Sequence, residues 1–175
     1  MKSPICDMLG IEFPLLAFSH CRDVVAAVSR AGGFGVFGAT RYLPETLEQE
    51  LKWIDDHVDG KPYGIDVLIP ENISTAGEKN VTWKSLEKRV SQEHRDFTRN
   101  LLKKYNIELT AQSVADNQPQ PFDAKTALQL LEVSFRHPIR LIANALGVPP
   151  RAMIEMGRQH NVPVAALVGS KEHAL

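Results

Sequence analysis

Short, almost wholly apolar runs alternate along this chain with longer stretches whose apolar positions recur every three or four residues. Residues 13–18, with Pro14 near their start, read as a buried strand. Asp23 then opens a helical stretch through Val24, Val25, Ala26, Ala27 and Val28, which Gly32-Gly33 ends. Glycine takes the left-handed cap conformation at little cost. Residues 34–37 form a second buried strand. Residues 44–58 set Leu47, Leu51, Ile54 and Val58 on one helix face, and a turn at 59–62 leads into a third strand at 63–69. That third strand is apolar except for Asp66. Nearly all-apolar strands alternating with helices are the signature of a parallel sheet buried on both faces.

The rhythm breaks after the third strand. Residues 81–105 are polar and amphipathic, with Trp83, Leu86, Val90, Phe97, Leu101 and Leu102 as their apolar positions. Residues 117–121 read as a loop and 124–135 as another helix. The rhythm resumes with a fourth strand at 138–143, a helix started by Pro149-Pro150 and a fifth strand at 164–168. Gly169-Ser170 then reads as the start of a further helix. The expected fold class is α/β: a partial parallel (β/α)8 barrel of about five βα units with a helical insertion after the third strand. Residues 1–70 and 136–175 form the barrel part and 71–135 the insertion. A closed barrel needs eight strands and roughly 250 residues, so these units are expected to stop short of closure.

Composition narrows the function classes. The chain has 175 residues, with 20 Lys plus Arg against 21 Asp plus Glu, so no field of one sign favours nucleic acid or an anionic membrane. No apolar run approaches the length of a membrane span, and no signal-peptide core follows Met1. Cys6 and Cys21 lack Cys-x-x-Cys spacing, which suits a reducing cytoplasm and gives no metal cluster. A small-molecule substrate is the expected partner.

The candidate chemistry gathers at strand ends. Residues 33–38 match a G-x-G-x-x-G pattern, but they follow a helix and run through a strand. Dinucleotide binding requires the reverse context, so these read as a cap and close-packed strand glycines. Asp66 is a carboxylate inside a buried run and needs either a partner or a wet cavity. Ser19-His20-Cys21 follows the first strand, where His20 is either an acid–base group, the one catalytic candidate, or a hydrogen-bonded loop residue. Asn144 ends the fourth strand and either meets a ligand or closes a turn. Gly169 and Ser170 follow the fifth strand, as an open loop with helix N-terminal donors or as an ordinary cap.

Three segments carry a family resemblance: residues 5–14 (ICDMLGIEFP), 26–35 (AAVSRAGGFG) and 62–66 (PYGID), supported by 164–170 (VAALVGS). With these the chain resembles the nitronate monooxygenase (2-nitropropane dioxygenase) family of FMN-dependent barrels. The resemblance implies FMN as cofactor, with its ring over the C-terminal ends of the first strands, and NAD(P)H or oxygen as redox partner. By position it implies ring or substrate contacts from Phe18, Ser19, His20, Asp66, Asn144 and Gly169. Phe18-Ser19-His20 stands where the family usually has Ala-Pro-Met, and Asp66 where it commonly has Asn. The family's catalytic histidine follows its sixth strand and its FMN-phosphate loops follow the seventh and eighth, so an activity-bearing set is expected beyond Leu175. The competing expectations are a non-catalytic barrel fragment acting through a homo-oligomer or a complementary chain, and a flavin-free barrel acting on a phosphate-bearing substrate.

Overall fold

The computed structural model describes residues 3–40, 42–69, 87–110, 124–145 and 147–172. The chain divides into two units, one of residues 1–72 and 124–175, the other of residues 73–123. In the first unit the order is α1 (Pro4–Leu9), β1 (Leu16–Ser19), α2 (Arg22–Arg30), β2 (Phe34–Gly38), α3 (Pro44–His57) and β3 (Tyr63–Asp66). The second unit contributes α4 (Gln92–Lys104), and the first resumes with α5 (Ala124–Ser134), β4 (Leu141–Asn144), α6 (Arg151–His160) and β5 (Val164–Ala166). The five strands form one parallel sheet in the order β1-β2-β3-β4-β5, with β1 and β5 at its edges. Sequential parallel neighbours joined by helices are the barrel pattern read from the sequence.

Several boundaries differ from the sequence reading. The first strand starts at Leu16, because residues 12–14 bend, and the fourth starts at Leu141. The third strand ends at Asp66, where pairing with Ala143 stops. The helix expected from Gly169-Ser170 begins no earlier than Glu172, the one helical residue described there: residues 169–171 are bends, and residues 173–175 lie outside the described set. The amphipathic helix expected over 81–105 is described as α4, its earlier residues 81–86 and the loop at 117–121 lying outside the described residues. The helix α5, expected inside the insertion, belongs to the sheet unit. Its Ala127, Leu130 and Leu131 are buried in the same core as Leu47, Leu51 and Ile54 of α3.

Strand side chains alternate between two faces, and the packing partners identify each face. Phe37, Tyr63, Ile65, Val67 and Ile142 join Val25, Leu47, Leu51, Ile54 and Met153 in the core between sheet and helices. Phe34, Val36 and Leu141 point the other way and pack against Cys6 and Leu9 of α1 and against Ile11. The inner face therefore carries Leu16, Phe18, Phe34, Val36, Gly38, Gly64, Asp66, Leu141 and Ala143. The short helix α1 closes its lower end; Gly10 stops that helix in the left-handed conformation (φ 73°). Ser29, fully buried on α2, locks helix to sheet: its hydroxyl donates to the Pro62 carbonyl (2.9 Å) and accepts from the Gly35 N–H (3.2 Å).

A buried polar group ties α3 to the start of β3. The Tyr63 hydroxyl donates to Asp55 Oδ1 at 2.7 Å, and His137 Nδ1 donates to Asp55 Oδ2 at 2.6 Å. Burial first, then the hydrogen bond and charge of Asp55, push the Tyr63 phenol far above its ordinary range. The unfolded chain loses this proton near the ordinary pKa of about 10, whereas the folded chain keeps it. Stability is then fully present below about pH 10 and falls as pH rises, by up to about 1.4 kcal/mol per unit. Urea unfolding from about pH 9 to about pH 11 checks this. Tyr63→Phe is expected to remove that share of the slope, and an unchanged slope would refute it.

Candidate functional site

The C-terminal ends of β1, β2 and β3 carry the candidate site. In a parallel barrel, side chains at these ends face the ligand side, whereas the opposite end serves stability. A cleft of about 360 Å³ lies at that opposite end, lined by Leu9, Gly10, Asp55, Lys61, Tyr63 and Arg140. It is a furrow beneath the α1 plug and the Asp55 network, on the side of the sheet away from the candidate chemistry.

At the site, Gly38 ends β2 opposite Asp66 of β3. A Cβ on Gly38 would meet His20 Nδ1 at 2.5 Å and Phe18 Cζ at 2.7 Å. The imidazole and phenyl rings thus occupy the space a side chain at 38 would fill. The rings meet edge to face with centroids 5.0 Å apart. His20 Nδ1 lies 3.1 Å from the Gly38 carbonyl. A carbonyl can only accept, so Nδ1 carries a proton whether or not Nε2 does. Phe18 is 55% exposed and His20 is also exposed.

Asp66 rises from the same face one strand away. It is only 6% exposed, and its Oδ1 is buried with no hydrogen-bond partner among the described residues. Burial raises its carboxyl above the usual range, opposed by the charge of His20 and by the Ala145 backbone N–H. Asp66 therefore resists ionisation at the bottom of a rim walled by Phe18 and His20. Such a carboxyl is able to hold a proton and donate it in a hydrogen bond.

The remaining sequence candidates do not join this group. Ser19 lies on the opposite strand face, and its Oγ accepts from the Cys21 N–H at 3.0 Å, shaping the turn into α2. Asn144 is fully buried and fastens loops: Oδ1 accepts from the Ile69 N–H at 2.9 Å and Nδ2 donates to the Val148 carbonyl at 3.3 Å. Gly169 is exposed in the bends after β5. Gly38 reads from the sequence only as a close-packed strand glycine, a mark of close approach by other atoms. That the atoms are the rings of Phe18 and His20 shows only in the fold.

Comparison with known proteins agrees with this architecture. The family model for nitronate monooxygenase matches residues 2–175. Rv1533 of Mycobacterium tuberculosis, described as a candidate monooxygenase, is 44% identical over 180 residues, covering 99% of this chain and 47% of the relative. Among solved structures, a nitroalkane oxidase from Streptomyces ansochromogenes superposes with a TM-score of 0.63 at 20% identity, over 98% of this chain and 44% of its own. A variant of FabK from Thermotoga maritima gives 0.62 at 18% identity, over 99% of this chain and 41% of its own. These two share the fold, an α/β parallel barrel of which this chain forms a five-stranded part. The chain spans about half the length of the relatives it matches. With the family model spanning nearly all of its residues, the chain belongs to the nitronate monooxygenase family.

Proposed function

We propose that this chain is part of an FMN-dependent oxidoreductase that oxidises nitronates or related carbanion-forming substrates, and that it supplies the ring side of the flavin site. The observation that carries this reading is the rim itself. An exposed aromatic ring and a buried carboxyl with a free oxygen stand together at the strand ends of a chain from this family. Flavin, when bound, would supply the redox chemistry, taking an electron pair from the substrate and passing it to oxygen or another acceptor.

The residues of the chain fit a planar, partly polar ring. Phe18 offers an apolar surface, and Asp66 Oδ1 offers hydrogen bonding that nothing else described satisfies. Below them Phe34, Val36 and Leu141, packed on Cys6 and Leu9, close the inner face against water. Asn144 holds the backbone after β3 and β4 in place beside the rim. Added to the purified chain, FMN and riboflavin are expected to bind comparably, since ring contacts lie here and the family's phosphate loops follow later strands. Titration of each flavin's visible spectrum and fluorescence checks this. A chain that perturbs neither flavin overturns the reading for these residues.

A second reading rests on the sheet edges. β1 and β5 each pair on one side, and Leu16, Phe18 and Leu167 beside them are exposed. Such edges favour assembly with another chain. On this reading the chain elutes as an oligomer in size-exclusion chromatography with light scattering. A stable monomer would remove it.

A further inference from the structure

Asp66 is the only carboxylate in the five described strands. Elsewhere on the inner face the strands offer phenyl, aliphatic or glycine positions. Burying a carboxylate here is costly, and the fold gains little from it. Oδ1 has no partner among the described residues, and an amide at this position could accept from the Ala145 N–H just as well. The one feature that suits a carboxyl over an amide is its neighbour. His20 is lodged over Gly38, which pairs with Asp66, and its backbone carbonyl is further held by the Tyr42 hydroxyl at 3.4 Å. Its Nδ1 is committed to the Gly38 carbonyl, so proton exchange falls to Nε2 on an exposed ring.

We propose that Asp66 and His20 act as one proton-sharing pair at the mouth of the inner face, with Asp66 holding the proton toward a bound ligand and His20 exchanging protons with solvent. When a ligand atom takes the Asp66 proton, His20 takes one from water at Nε2, and the resulting imidazolium balances the carboxylate. Reversal returns both groups to their neutral forms. Ligands with a carbonyl, ring-nitrogen or nitro acceptor suit such a donor. The ligand side of this inference rests on the flavin reading above; the pairing of the two residues does not.

Among the described residues, the neighbouring strands leave the pair isolated. β1, β2 and β4 place no ionisable side chain on this face, and the loop after β4 contributes the Ala145 backbone. Cys6 is buried at the far end against Leu9 and Phe34. Cys21 and Asp23, at the start of α2, face each other with the thiol 3.6 Å from the carboxylate.

The test is a pH titration of carbon-13-labelled aspartate by NMR in the ligand-free chain, with the Asp66 signal assigned by its loss in Asp66→Asn. Asp66 is expected to keep its proton above the ordinary aspartate range, and His20→Gln is expected to raise its midpoint further. His20 is exposed, so that variant does not depend on refilling the core. An Asp66 that titrates in the ordinary range, or one whose midpoint ignores His20→Gln, overturns the pair. Thermal unfolding gives a second reading. A raised folded pKa means stability is lost as pH rises through it, so Asp66→Asn is expected to melt higher than the parent at neutral pH. A lower melting point would mark a structural carboxylate and overturn the proposal. Riboflavin serves as the ligand probe: if it fails to bind, the flavin reading falls while the titration still decides the pair.

Discussion

Asp55→Ala is expected to destabilise the protein by about 3 kcal/mol, although Asp55 lies near the surface and far from the ligand-side rim. The substitution removes the acceptor of two buried donors at once. The Tyr63 hydroxyl, on a fully buried side chain, loses its 2.7 Å bond. His137, whose side chain is 7% exposed, loses its 2.6 Å partner and keeps only the longer approach of Glu48 at 3.5 Å. Each orphaned polar group costs roughly 1–3 kcal/mol. The measurement is the urea midpoint at neutral pH. Tyr63→Phe in the Asp55→Ala background should cost less than in the parent, because the stranded hydroxyl is then gone. Additive losses would mean that the two residues are not coupled.

Gly35→Ala is expected to have the other large effect, a loss of about 3 kcal/mol or more. The added methyl would overlap the backbone carbonyl oxygen of Val25 and approach Val25 Cγ1 to 2.8 Å. Backbone cannot swing aside as a side chain can. Moving α2 away would also break the two hydrogen bonds of Ser29, one of which is to Gly35 itself. Gly60→Ala is the matched control. It sits at φ +69° with open space around it, so it should lose only about 1 kcal/mol from the left-handed backbone. Equal urea midpoints for the two variants would refute the close contact between α2 and β2.

Much of the barrel part was legible because its strands are short apolar runs and its helices repeat with a helical period. Helix α3 ends one residue from its expected end, and β2 is one residue longer than read. Helix α1 escaped because six residues with two buried positions, Cys6 and Leu9, give no period to detect. The division at α5 escaped for another reason. Its apolar face says that it packs on something, but only the structure shows that the something is α3.

The site was legible in part. That Asp66 is anomalous follows from one acid in an apolar run. Which face it occupies did not follow, since a strand buried on both sides has no polar alternation to mark inside from outside. Ser19 and His20 look equivalent in sequence. They separate because Ser19 belongs to the strand face turned toward the helices, while His20 folds back over a glycine eighteen residues later. The Asp55–Tyr63–His137 group joins residues that no local pattern connects.

The ring of His20 also acts as a borrowed side chain for position 38. Space on that spot of the sheet can be filled once, either by residue 38 from within β2 or by the rings reaching over from the end of β1. The two positions therefore form a single evolutionary unit. Among relatives, a side chain at the counterpart of Gly38 should accompany a small residue at the counterpart of His20. A lineage passing between the two arrangements would have to change the smaller partner last or cross an overcrowded intermediate.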